Sequence, residues 1–132
     1  MRDRPVVLVV EDDVEMNDLE RQLLAAHGMD SVPAYSGREA LRVSERCEAD
    51  AVLLDLMLPE MDGFETCRRI RGRFGHRVPI VMVTALDNDE CRRRGFEVGA
   101  DAYFSKPFDP DEVVFTIQTL LEQAGDGKQE TN

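Results

Sequence analysis

The sequence predicts an α/β fold: a three-layer, doubly wound (βα)5 domain built on a five-stranded parallel sheet. Three observations carry this. Five short apolar runs alternate with five segments of helical periodicity. Three of the runs, 6–10, 51–54 and 80–83, are continuously apolar, as strands buried on both faces are. Capping motifs fall where strand periodicity gives way to helical periodicity. A chain of 132 residues suits one domain, large enough to bury a core without staples.

The elements follow in order. Val6–Val10 is the first strand. After it, Met16, Leu19, Leu23 and Ala26 fall at i, i+3, i+7 and i+10, an apolar stripe expected to face the core, and Gly28 stops that helix. Residues 31–35 make a weaker strand, expected at a sheet edge. Ser36-Gly37-Arg38-Glu39 is a capping box opening the second helix. Asp62 caps the third helix by the same logic, and Asp87 is expected to cap the fourth. Ala102–Ser105 is a short strand with aromatics. Asp109-Pro110 opens the last helix with proline at its first position. Val113, Ile117, Leu120 and Ala124 form its core stripe, and Gly125 is expected to end it. The folded domain is therefore expected over residues 1–124, with 125–132 a polar, disordered tail.

Composition excludes several classes. Apolar residues make up 42% and charged residues 33%, too apolar for wholesale disorder. No apolar run approaches the ~20 residues of a membrane helix, and the N-terminal segment has no cleavage-site pattern. Cys47, Cys67 and Cys91 are scattered and His27 and His76 isolated, so neither a disulfide framework nor a zinc site is expected. A reducing, cytoplasmic setting is expected. Against 27 acids stand 16 bases, a net charge of −11 that repels nucleic acid, so no direct nucleic-acid binding is expected. The arginines at 68, 69, 71, 73 and 77 and at 92–94 lie near predicted helix ends and read as solvated cations there, with a protein-binding surface as the alternative.

Ligand sites in open parallel sheets form beyond the carboxyl ends of the strands. The first strand ends in Glu11-Asp12-Asp13, the third in Asp55, the fourth in Thr84 and the fifth in Lys106-Pro107. Clustered carboxylates repel unless a cation offsets them, and oxygen donors of this kind suit Mg²⁺. Lys106 adds a cation and Thr84 a short hydroxyl, so the set forms a cradle for a phosphoryl group. Asp55, flanked by Leu53-Leu54 and Leu56-Met57-Leu58, is the candidate nucleophile. Asp13 has a second reading as a helix cap.

Taken together, these segments resemble a bacterial response-regulator receiver domain of the chemotaxis-protein type. The resemblance spans about residues 6–121 and rests on Val7-Leu8-Val9-Val10-Glu11-Asp12-Asp13, Leu53-Leu54-Asp55-Leu56-Met57-Leu58-Pro59-Glu60-Met61-Asp62-Gly63, Val83-Thr84-Ala85, Gly99-Ala100-Asp101-Ala102-Tyr103 and Lys106-Pro107-Phe108. It implies a flavodoxin-like topology. It implies Mg²⁺ ligation by Asp12, Asp55 and the Met57 carbonyl, with Glu11 acting through water. By the same resemblance Asp55 takes a phosphoryl group from a histidine kinase or phosphotransfer protein, in a signalling phosphoacceptor rather than a turnover enzyme. Thr84 and Lys106 would hold phosphoryl oxygens, and the Lys106-Pro107 bond would be cis. Thr84 and Tyr103 would form a switch that alters the face of the fourth helix, fifth strand and fifth helix. That face would meet a downstream protein or a fused output domain.

Met57 and Leu86, each two residues past a key group, are apolar and offer nothing to aim a water at phosphorus, so slow self-dephosphorylation is expected. Two rivals fare worse. Metal-dependent phosphohydrolases usually carry an acid two residues after the nucleophile, where this chain has Met57. A flavin-binding protein needs a Ser/Thr-rich phosphate loop after the first strand, and Asp12-Asp13-Val14-Glu15 has the opposite character. A third reading keeps the fold as a binding module that is never phosphorylated, against which the complete acceptor set argues.

Overall fold

The computed structural model describes residues 4–86 and 88–130. Strands β1 (Val6–Val10), β2 (Asp30–Ala34), β3 (Ala51–Asp55), β4 (Ile80–Thr84) and β5 (Ala102–Ser105) alternate with helices α1 (Val14–Ala26), α2 (Gly37–Arg46), α3 (Gly63–Phe74), α4 (Asp89–Glu97) and α5 (Pro110–Glu130). All pairings are parallel, in the order β2-β1-β3-β4-β5. β2 is an edge strand, as expected, and Pro33 within it needs no ladder partner for a missing N–H. Strand order reverses between β1 and β3, which places the ends of these two strands side by side.

Alternate residues of the sheet feed two cores. Leu8, Val10, Val52, Leu54, Ile80 and Met82 pack with Ala40, Phe64, Cys67 and Ile70 of α2 and α3. Val7, Val9, Leu53, Val81 and Val83 pack with Leu24 of α1 and with Val113, Val114 and Ile117 of α5. Each of these large aliphatic side chains contributes about 1.5–3 kcal/mol when fully buried. Ser36 and Asp62 cap α2 and α3 through Glu39 N and Glu65 N. Gly28, at φ 83°, closes α1 in a conformation that side chains disfavour.

Four expectations are corrected. α1 does not bury its apolar stripe: Leu19 is 58% exposed, whereas Asn17, Glu20 and Leu24 are buried. Asn17 is tolerated because its amide serves backbone carbonyls at the top of the sheet, as described below, whereas Glu20 is buried with one oxygen unpartnered. The cap of α4 is Asn88, whose side chain accepts from Cys91 N, one position after the expected Asp87, which lies outside the described residues. Gly125 does not end α5, which continues to Glu130. An interior glycine costs a helix only about 1 kcal/mol, so it weakens the helix without forcing a stop. The expected break between residues 124 and 125 is thus not observed. Finally, Arg71 is no solvated helix end. It is largely buried, donating to Gly75 O at 2.8 Å, Val78 O at 2.6 Å, Gly99 O and Asp101 Oδ2, and so ties α3 to the turns flanking β4 and β5.

Candidate functional site

The register brings the strand ends to one rim, with Val10 opposite Leu54 and Asp55 opposite Val83. Glu11 follows β1 directly, Asp55 ends β3, Thr84 ends β4, and Lys106 follows β5. Lys106 Nζ lies 2.7 Å from Glu11 Oε1 and 3.1 Å from Asp55 Oδ2, bridging the first and third strands from the far side of the fourth. Carboxylate oxygens of Glu11, Asp12 and Asp55 all lie within 4.8 Å of one another. Glu11 and Asp55 are buried and Asp12 is exposed, so the cluster opens to solvent on one side.

Backbone donors fix the acids. Asp13 N donates to Glu11 Oε2 at 3.2 Å, and Met57 N donates to Asp55 Oδ1 at 3.0 Å. Asp13 itself caps α1, accepting from Met16 N. Gly63 is required nearby: a Cβ there would overlap Leu56 Cα and lie 2.7 Å from Asp55 O. The Lys106–Pro107 peptide is cis.

Burial raises the Glu11 pKa to about 7, with the Asp55 charge adding to it and the Lys106 contact opposing it. At Lys106 burial works against the charged form, but the hydrogen bond to Glu11 and the charge of Asp55 outweigh it, so its pKa is raised. With all groups ionised, three carboxylates and one ammonium leave two negative charges uncompensated. Three oxygen-donor side chains at this spacing, carrying that excess, fit a hard divalent cation.

Thr84 is fully buried, its Oγ1 accepting from Leu86 N at 3.0 Å. Tyr103, also buried, donates its hydroxyl to Leu86 O at 2.8 Å. One peptide segment therefore links the two side chains. Arg92 of α4 lies over the Tyr103 ring, 4.9 Å from its centroid. Every side chain that the sequence nominated thus sits at this rim or, for Tyr103, is joined to it through Leu86.

Asn17 was not legible as part of the site. Its Nδ2 donates to Val9 O at 3.2 Å, Glu11 O at 3.1 Å and Ala34 O at 3.3 Å, holding the ends of β1 and β2 against α1. Its Oδ1 accepts from Arg21. Glu20, one turn on, is buried with Oε2 unpartnered. Its pKa is pushed up to about 8, first by burial and then by the Glu11 charge.

A family model described as the response regulator receiver domain matches residues 7–118. The chain belongs to the response-regulator receiver family. It is thus a receiver domain of two-component signalling systems. Among relatives of the receiver, sensory transduction protein RegX3 of Mycobacterium tuberculosis is 40% identical over 124 residues, covering 94% of this chain and 54% of that protein. Transcriptional regulatory protein ResD of Bacillus subtilis is 40% identical over 118 residues, covering 89% and 48%. The receiver therefore spans about half the length of these curated relatives. Among solved structures, a CheY-like receiver domain protein from Methanospirillum hungatei superposes with TM-score 0.88 at 27% identity, covering 94% and 98% of the two chains. The BeF3-activated N-terminal receiver domain of Klebsiella pneumoniae RstA gives 0.82 at 37% identity, covering 88% and 97%. Among the described residues, no helix is long and apolar enough to cross a membrane.

Proposed function

We propose that Asp55 is the phosphoacceptor of this receiver and that Mg²⁺ is its cofactor. The observation that carries the proposal is Lys106 Nζ bonded at once to Glu11 and Asp55, with the Asp12 carboxylate in the same cluster. Asp12, Asp55 and the Met57 carbonyl would hold the metal, with Glu11 acting through water; when bound, the ion neutralises charge on phosphoryl oxygens.

The chain's own groups do the rest. An Asp55 carboxylate oxygen attacks phosphorus of a donor phosphohistidine, the P–N bond breaks, and the imidazole leaves. Lys106 exchanges one carboxylate contact for a phosphoryl oxygen, and the Thr84 hydroxyl donates to another. The buried rim keeps the carboxylate positioned for attack, and the Met57 N–H retains its hold on Oδ1.

The new group adds about −1.5 to −2 charge at neutral pH. Turning the Thr84 hydroxyl toward it breaks the bond from Leu86 N. The Leu86 carbonyl is the Tyr103 hydroxyl's partner, so the loop and the ring move together. α4, β5 and α5 would then present a changed face. The receiver works in the cytoplasm as a phosphoacceptor that binds no nucleic acid itself. A histidine kinase or phosphotransfer protein lies upstream, and a downstream protein or fused output domain receives the signal.

The test is incubation with acetyl phosphate and Mg²⁺, read by intact-mass spectrometry. Wild type gains one phosphoryl group; Asp55→Asn gains none, and chelator abolishes the gain. Phosphoryl uptake by Asp55→Asn at the wild-type rate would overturn the assignment.

A further inference from the structure

The second feature of the receiver lies between α2, the loop that leads into α3, and α3 itself. There a groove of ≈ 530 Å³ is lined by Arg38, Leu41, Arg42, Met61 and Arg69, and an adjoining one of ≈ 610 Å³ adds Glu60 and Glu65. At the start of α2 the two helices approach closely: a Cβ on Gly37 would overlap Thr66 Oγ1 and lie 3.2 Å from Met61 O. Leu41 and Met61 supply an apolar floor, and exposed arginines stand on both sides.

The charge pattern is unusual for a chain with net charge −11. Arg38, Arg42 and Arg46 fall at i, i+4 and i+8 on α2, so like charges are neighbours on one helix face, an arrangement that destabilises a helix by itself. Glu65 beside the groove pairs with Arg69 at 2.7 Å, and two further carboxylates are engaged elsewhere. Glu39 accepts from Tyr35 N, and Glu45 pairs with Arg73 at 2.7 Å. Glu60 reaches Arg38 only at 3.9 Å with both side chains exposed. Among the described residues, neither Arg42 nor Arg46 has a salt-bridge partner. Guanidinium groups held this way present free planar donor forks, the geometry that carboxylates accept bidentately.

The geometry points to the α2–α3 groove as a docking site for an acidic, amphipathic segment of a partner protein, whose carboxylates meet Arg38 and Arg42 while an apolar side chain seats on Leu41 and Met61. Charge complementarity selects this occupant: Arg42, which has no salt-bridge partner among the described residues, and Arg38, paired only at 3.9 Å, stand beside an apolar floor and match an acidic segment with a single greasy face. The apolar floor also distinguishes it from a simple anion.

The test uses a fluorescein-labelled peptide of repeated Glu-Glu-Leu-Ala units, with a Lys-Lys-Leu-Ala peptide as control. Binding is followed by anisotropy on the full chain and mapped by backbone NMR shifts. The acidic peptide binds, weakens with added salt, and shifts the resonances of residues 38–42, 61 and 69. Reversing Arg38 or Arg42 to Glu weakens it about tenfold each, and Arg42→Ala less, with circular dichroism and acetyl phosphate uptake unchanged. Equal affinity for the reversed variants, shifts confined to other faces, or no binding overturns the proposal. So does sedimentation showing a wild-type dimer that Arg42→Glu dissociates, since a second copy would then be the occupant.

Discussion

Glu20 offers the sharpest quantitative test of how the receiver's interior is organised. It is 4% exposed, one carboxylate oxygen lacks a partner, and burial places its pKa near 8 instead of the ordinary 4.5. The folded state therefore holds a proton that the unfolded chain releases between those values. Stability depends on pH as the difference in protons bound, unfolded minus folded, which is negative in this window. Glu20 thus lowers stability as pH rises from 4.5 to 8, and the loss is complete above 8. At 1.36 kcal/mol per pKa unit, the 3.5-unit interval corresponds to an upper figure of about 5 kcal/mol, trimmed by relaxation around the charge. Glu20→Gln keeps the shape and removes the titration. The assay is urea unfolding of both proteins in chelator at intervals from pH 5 to 9. The difference between them isolates Glu20 from Glu11, whose raised pKa gives both proteins a slope of the same sign. The variant should match wild type near pH 5 and exceed it by at least about 2 kcal/mol at pH 8. A difference that is flat with pH, or a variant weaker than wild type at pH 8, would refute the reasoning.

Two further outcomes follow from the rim. In chelator, Asp12→Asn should raise the melting temperature by about 2–4 °C, because it relieves repulsion among three carboxylates within 4.8 Å, and it should weaken Mg²⁺ binding by titration calorimetry; a lowered melting temperature would count against the repulsion. Phosphorylated receiver should decay slowly with Mg²⁺ alone, since Met57 and Leu86 carry no polar side chain, and Met57→Glu should hasten the decay; equal decay of the two phosphoproteins would dismiss the idea.

What was legible in the sequence was whatever local rules decide. Continuous apolar runs gave the buried strands, Ser36 and Asp62 marked helix starts, and the residues ending each strand gave the rim, because parallel topology brings those ends together. What escaped depended on partners distant in the chain. Asn17 and Glu20 interrupt the apolar pattern of α1, and nothing in their spacing shows that three strand-end carbonyls await the Asn17 amide. Arg71 looked like any cation in a last helical turn, yet its acceptors lie on segments up to 30 residues away. The stripe of Met16, Leu19, Leu23 and Ala26 left Asn17 out of the expected core, whereas a satisfied amide is an ordinary interior group.

The amide of Asn17 acts as a rivet. It joins the ends of β1 and β2 to α1 beside Glu11. On the opposite flank α4 buries only Gly95 and lays Arg92 and Arg94 over ring faces, with Arg71 holding the turn that follows it through Gly99 O. A disturbance at the rim therefore meets a bonded seam on the α1 flank and, at α4, a helix body with little buried surface to give up on shifting.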